Sequence, residues 1–398
     1  LAMRGMKVTV VHLAEWLMER QLDKVAGDML RESLEAKGLT FLLERQTEAF
    51  IASAAGRVGA VRFKDGLEIA ADLVVVAAGM AAGGRLGLFG FAHLGYLLGT
   101  VTVPAAGAAL AWAVVRARPG SARLLPAGLA VVMLLPAPLG VWATHVAPFR
   151  LQVDRVDVSV PGMRGGRDPV RIGVLSDLQT GRVTAYERDA VSRLLATEPD
   201  LILVPGDLFQ GSVADFDREL EAMQELLGRL EAPHGVYLVP GDVDPEPWVD
   251  ALVEGTSIEV LRRDVVDLTV GDRRIRLGGH SLEPYGPDAR EVRDRLLDTP
   301  DDVITVLLAH RPDTVLGLPP GSRIDLTVAG HTHGGQIVLP GFGPLVTMSD
   351  VPRHVARGGL HEVAGNPIYV SAGVGMERGS APQVRLFCPP EIGVVTLR

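Results

Sequence analysis

Apolar and polar positions divide the chain into three unlike stretches. Over residues 1–79 short apolar runs alternate with polar segments, the pattern of a soluble α/β arrangement. KVTVVHLA reads as a buried strand, Asp23 to Ala36 as a helix stopped by Gly38, and Thr40–Leu43, Val58–Phe63 and Leu73–Ala77 as further strands. Leu86 to Val115 holds no Asp, Glu, Lys or Arg, and neither does Leu124 to Phe149. Each run exceeds the ~20 residues that cross a bilayer as a helix. The turn between them is short and basic, with Arg116, Arg118 and Arg123. Residues 84–149 are therefore expected to form a transmembrane hairpin, with Trp112, Trp142 and Tyr96 near the interfaces. If that turn is cytoplasmic, the flanking domains lie outside the cytoplasm. Residues 150–398 return to a charged α/β pattern punctuated by Gly and Pro, and read as one domain.

That last stretch carries the chemistry. Five apolar segments each end in a polar cluster: RIGVLSD at Asp177, LILVPGD at Asp207, GVYLVPGD at Asp242, VITVLLAH at His310, and DLTVAGHTH at His331 and His333. Ligands of open α/β sheets bind beyond the carboxyl ends of the strands, so these groups are expected to converge on one rim. Singly, each has an ordinary reading. An Asp after Gly is usually a turn residue, a lone strand-end His is usually satisfied locally, and His-x-His on a strand merely puts two rings on one face. Their ordered joint occurrence is what points to a site. Three carboxylates and three imidazoles are costly to bury together unless cations neutralise them. Such a set suits two divalent ions ~3.5–4 Å apart, an arrangement of phosphoester chemistry.

Composition removes several alternatives. A net charge of −9 argues against nucleic-acid binding by bulk electrostatics. The single cysteine, Cys388, excludes an internal disulfide framework and a Cys-rich zinc site. His354 and His361 read as surface residues in preference to substrate contacts, His280 as a loop residue or a neighbour of the site, and Glu219, Glu221 and Glu225 as an exposed helix face.

The order SDLQ, GDLF, GDVD, AHRPD, GHTHGGQ resembles the calcineurin-like metallophosphoesterases, in particular their membrane-anchored bacterial branch. The tail YVSAGVGMERGSAPQVRLFCPPEI is similar as well. The resemblance implies an α/β fold, a two-sheet sandwich flanked by helices, with a two-metal site at the strand ends. It assigns Asp177, Asp207, His333 and the residue at 179 to the first ion. It assigns Asp207 as a bridge, with Asp242, His310 and His331, to the second. Two positions depart from the family pattern. Gln179 stands where a ligand His is usual, and Val243 where a His helps the leaving group; general acid help of that kind contributes on the order of 10²–10⁴-fold. Asp207, Asp244 and His333 are the residues expected to act in catalysis, Asp244 by replacing the missing His if it is protonated. The oxygen-rich set favours Mn, Fe or Mg over Zn.

The implied activity is metal-dependent hydrolysis of a phosphodiester or pyrophosphate bond by an activated water. The anchor suggests a lipid-linked substrate at an inner or plasma membrane; some anchored relatives hydrolyse UDP-diacylglucosamine. The competing reading is a catalytically weak metal- or phosphate-binding module, motivated by Gln179 and Val243. Separately, VTVVHLAEWLMERQLD, AGDMLRESLEAKGLTFLLE and ADLVVVAAG resemble the large subunit of NAD(P)H-dependent nitrite reductase. Residues 1–79 lack a Gly-x-Gly-x-x-Gly turn to receive a pyrophosphate. They are therefore expected to be a truncated dinucleotide-binding fragment, fused or joined in assembly, with Met80 as the native start. A flavoprotein reductase is the third reading, and no bound flavin is expected.

Overall fold

The structure is a computed structural model that describes residues 8–12, 14–16, 24–35, 39–52, 58–71, 88–116, 124–162, 164–280, 282–378 and 381–398. The chain separates into two compact units, Leu1–Gly84 and Arg85–Arg398.

In the first unit, β1 (Val8–Val11) and β2 (Leu39–Leu42) pair in parallel, with the helix Lys24–Glu35 between them in sequence. β3 (Thr47–Ala52), β4 (Val58–Phe63) and β5 (Glu68–Ala70) form an antiparallel sheet. β3 and β5 are absent from the sequence reading because neither is a continuous apolar run. The strand expected at Leu73–Ala77 lies outside the described residues.

The second unit opens with two long apolar helices, His93–Arg116 and Leu124–Phe149. They pack closely on each other: a Cβ on Gly107 would lie 2.8 Å from Met133 Cβ, so only glycine allows this approach. Tyr96 donates its hydroxyl to the Gly140 carbonyl at 2.8 Å. Their outer faces are uncovered, with Leu125 85%, Val115 77%, Leu124 76% and Trp112 61% exposed. Arg116 lies over the Trp112 ring at 4.1 Å. Where the second helix ends it docks on the domain that follows. The Ala143 carbonyl accepts from Arg385 N at 2.9 Å, and the Trp142 ring meets Phe387.

That domain is a sandwich of two six-stranded sheets. The first contains β6 (Gln152–Val158), β7 (Val170–Val174), β8 (Leu201–Val204), β9 (Val236–Leu238), β10 (Ile258–Val260) and β19 (Glu391–Leu397), in the order β10-β9-β8-β7-β19-β6. The second contains β11 (Arg263–Val270), β12 (Arg273–His280), β13 (Ile304–Leu308), β14 (Leu326–Ala329), β17 (Gly359–Val363) and β18 (Asn366–Val370), in the order β11-β12-β13-β14-β18-β17. A short ribbon, β15 (Val338–Leu339) with β16 (Gly343–Pro344), projects from the loop after β14.

The strands LILV, ITVLL and LTVA are fully buried. Parallel strands covered on both faces take such unbroken apolar sequences. Between the sheets Ile172, Leu203 and Val395 meet Leu277, Val306, Val328 and Tyr369. Helices Ala185–Leu195, Val213–Leu227 and Glu246–Val253 pack a second core against the first sheet, and Pro287–Leu297 contributes to a third on the other sheet. Capping boxes at Thr184 with Glu187 and at Ser212 with Asp215 start two of these helices. β7, β8 and β9 run parallel, as do β12, β13, β14 and β18. The loops that follow them form one rim of the sandwich.

Candidate metal centre

The rim collects the expected side chains. Asp177 follows β7, Asp207 follows β8, Asp242 follows β9, His310 follows β13, and His331 follows β14. His331 Nδ1 lies 2.8 Å from Asp242 Oδ2, and His310 Nε2 lies 3.4 Å from that same oxygen. His310 Nε2 is also 3.5 Å from Asp207 Oδ2, and His333 Nε2 is 3.9 Å from Asp177 Oδ1. Two groups result whose ligating atoms lie within 4.8 Å of one another: Asp177, Asp207 and His310, and Asp242, His310 and His331.

Backbone hydrogen bonds tie the two sheets together at this rim. His331 N donates to Asp177 Oδ1 at 3.0 Å, and Gln179 N to the Asp207 carbonyl at 2.8 Å. The Gly375 and Val374 amides donate to the Asp177 and Ser176 carbonyls. Gly241 permits one close approach, since a Cβ there would sit 2.2 Å from Asp207 Oδ1. Two carbonyls orient the imidazoles. His310 Nδ1 faces the Pro205 carbonyl at 2.6 Å and His331 Nε2 faces the Met348 carbonyl at 3.0 Å. Each of these nitrogens can then serve as the N–H donor, which leaves His310 Nε2 and His331 Nδ1 as the atoms that would face a cation.

The backbone is strained where the candidate ligands sit. Asp177, Gln179, Asp207, His331 and His333 all have positive φ, between 36° and 71°. For residues with a Cβ this conformation costs roughly 1–2 kcal/mol each, and it persists only where the surroundings impose it. The His-x-His pair accordingly lies just past the strand end. β14 ends at Ala329, and both histidines lie in the turn beyond it.

Electrostatics matches a site built for cations. Burial, reinforced by the charge of Asp207, raises the Asp177 carboxyl to about 6. Burial disfavours charge on His310, but Asp207, Asp242 and Asp177 outweigh it and lift the ring to about 10. Burial likewise opposes ionisation of Asp242, yet the adjacent His310, His331 and Arg311 hold its carboxyl far below the usual range. Burial and the Arg385 charge depress His333, so its ring stays neutral and can act as a ligand. Gln179 Oε1, His310 Nε2 and His333 Nε2 are buried without a hydrogen-bond partner. Buried polar atoms are rarely left so. Orphaned donor atoms beside clustered carboxylates fit divalent ions.

Asp244 requires a correction. Its carboxylate accepts from the amides of Asp207 at 2.6 Å, Leu208 at 2.8 Å and Gly241 at 2.9 Å. Both oxygens are spent on backbone, so the side chain clamps the Asp207 and Gly241 loops instead of offering a proton, although burial and Asp207 raise it to about 6. His280 is a buried strand residue facing Thr314, and His354 stacks edge-on against His361. Cys388 is buried, which pushes its thiol up and keeps it protonated. Three residues escaped the sequence reading. Arg311 pairs with Asp242, and it stands within the AHRPD string. Arg385, fully buried, donates to the carbonyls of His333, Ala372, Gly373 and Gly375. Glu377 lies beside Gln179. Neither of the last two has a local signal, because their partners are distant in sequence.

Residues 170–335 match the family described as calcineurin-like phosphoesterase. The chain carries a calcineurin-like phosphoesterase domain. This phosphoesterase domain is similar to the metallophosphoesterase YkuE of Bacillus subtilis (strain 168), at 28% identity over 65% of this chain and 89% of that protein. A metallophosphoesterase of Aquifex aeolicus (strain VF5) is 27% identical over 67% and 98% of the two chains. Members of the family that residues 170–335 match use a dinuclear divalent centre. Residues 1–92 match the family described as pyridine nucleotide-disulphide oxidoreductase. Nitrite reductase [NAD(P)H] of Bacillus subtilis (strain 168) is 54% identical over 83 residues, 21% of this chain and 10% of that protein.

Proposed function

We propose that this phosphoesterase hydrolyses a phosphodiester or pyrophosphate bond in a lipid-linked substrate at a membrane surface. Residues 150–398 are the catalytic domain, residues 84–149 the two-pass anchor, and residues 1–79 a fragment without a catalytic role. The observation that carries the activity is the convergence of Asp177, Asp207, Asp242, His310 and His331, with Asp177, Asp207 and His310 buried and orphaned nitrogens on His310 and His333. Asp177, Gln179, Asp207 and His333 are assigned to one divalent ion, and Asp207, Asp242, His310 and His331 to the other. The oxygen-rich set favours Mn, Fe or Mg.

A bound ion pair supplies polarisation of the phosphoryl oxygens and acidification of a water. The protein's own groups prepare the site for it. The Pro205 and Met348 carbonyls fix the imidazole tautomers. Asp244 holds the Asp207 loop against Gly241. Arg311, half-exposed at the edge of the cluster, places a guanidinium where an incoming phosphate needs a counter-charge. With Val243 offering no proton and Asp244 spent on backbone, good leaving groups are hydrolysed best.

The anchor reading rests on the two uncovered apolar helices, which need a non-aqueous neighbour. The turn carries Arg116, Arg118 and Arg123, and the other ends of the spans carry Arg85, Arg150 and Arg155; if the tight cluster in the turn sets the orientation, the catalytic domain lies outside the cytoplasm. The deciding experiment measures hydrolysis of a bis-aryl phosphodiester with Mn²⁺ by the intact chain and by Asp207→Asn. We expect the variant to lose at least ~100-fold, in keeping with the loss of a shared ligand. Equal rates would remove the proposal.

A further inference from the structure

Gln179 has an unusual environment. The side chain is fully buried, its Oε1 has no partner, and its Nε2 donates to Glu377 Oε2 at 3.2 Å. The other oxygen of Glu377 accepts from Gln210 Nε2 at 3.0 Å. The Glu377 amide donates to Gln336 Oε1 at 3.0 Å, and the next amide, of Arg378, donates to Gln210 Oε1 at 2.8 Å. Glu377 is thus braced by three glutamines, one from each of the loops that carry Asp177, Asp207 and His333. Arg378 closes the set by donating its Nε to the Gln179 carbonyl.

A carboxamide can present either end, and the two ends are of opposite use to a cation. Its oxygen is a ligand, whereas its NH₂ repels the ion. An ionised carboxylate only accepts hydrogen bonds. With Glu377 fixed beside it, Gln179 must turn its NH₂ toward Glu377, because the flipped amide would oppose two acceptors. The oxygen is then left for the rim that holds Asp177, Asp207 and His333. An imidazole at this position would need no such device, so the glutamate answers a requirement created by the glutamine.

We propose that Glu377 is a positioning residue that locks the Gln179 carboxamide oxygen-first toward a divalent cation. This rests on the assignment of Asp177, Gln179, Asp207 and His333 to one ion. The test titrates Mn²⁺ into the full chain in detergent and follows free Mn²⁺ by electron paramagnetic resonance. Glu377→Gln presents either end of an amide to Gln179 and removes the lock. We expect one of its Mn²⁺ sites to weaken by about 10–100-fold, the usual effect of losing an outer-sphere partner. We expect the same substitution to have less than about a threefold effect in a Gln179→His background, where an imidazole supplies the ligand. An unchanged affinity in Glu377→Gln, or an equal loss in both backgrounds, overturns the proposal; the latter marks Glu377 as a structural brace only. If Glu377→Gln does not fold, Gln210→Leu removes the second brace and gives the same comparison at smaller amplitude. Asp177→Asn separates the two levels. If it leaves Mn²⁺ binding intact, the metal assignment itself is wrong; if it weakens binding while Glu377→Gln does not, only the positioning role fails.

Discussion

Glu391 offers a test of how the rim is held from behind. It opens β19, accepts from the Ala372 amide at 2.9 Å, and donates its own amide to the Gly373 carbonyl at 3.0 Å. Gly373 packs in turn on Asp177. Glu391 also lines a cavity of about 220 Å³ with Asp154, Arg357 and Cys388. Burial, helped by the charge of Asp154, raises its carboxyl from 4.5 to about 7. Between those values the folded protein holds a proton that the unfolded chain has released, so stability falls as pH rises through this window. A displacement of this size corresponds to roughly 3 kcal/mol. Glu391→Gln keeps an acceptor for Ala372 and abolishes the titration. The assay is urea unfolding of both proteins in EDTA at pH 4.5 and pH 8, so that the metal-ligand carboxylates titrate equally in each. We expect near-equal stability at the lower pH and an advantage of roughly 3 kcal/mol for the variant at the higher one. A difference that does not change with pH, or a wild type that gains on the variant at pH 8, would refute the reasoning.

Three further outcomes are expected. Asp244→Ala leaves three buried amides without an acceptor and lowers the unfolding free energy by roughly 3 kcal/mol or more, measured in EDTA; an unaltered melting curve would show that the clamp carries no load. Mn²⁺ at 100 times its dissociation constant stabilises the chain by about 2.7 kcal/mol in calorimetry, and Asp207→Asn sharply reduces the gain. Alkaline carbonate extraction of membranes from the producing cell leaves the chain in the pellet, because His93–Arg116 and Leu124–Phe149 expose apolar faces; recovery in the supernatant would contradict the anchor.

The strand-end carboxylates and imidazoles were legible because parallel strands buried on both faces are apolar runs, and the first polar residue after each run marks the rim. The two-sheet sandwich followed from the motif resemblance, and the sheet order is visible only in the structure. What stayed hidden depends on pairings between distant loops. Asp244 looked like a spare acid, since sequence cannot show that its oxygens meet the amides of Asp207, Leu208 and Gly241. Glu377 stands 198 positions from its partner Gln179, without periodicity or motif to connect them. The His331 and His333 pair was legible as a strand-end cluster, while the left-handed turn that carries it beyond Ala329 was not.

The left-handed residues of the rim set stability against use. Replacing one of these residues by glycine relieves a backbone penalty of roughly 1–2 kcal/mol while discarding a donor atom. Consensus or computational stabilisation of this scaffold will therefore be drawn first to the positions it can least spare. A melting temperature that rises as Mn²⁺ capacity falls is the sign that such a trade has been made.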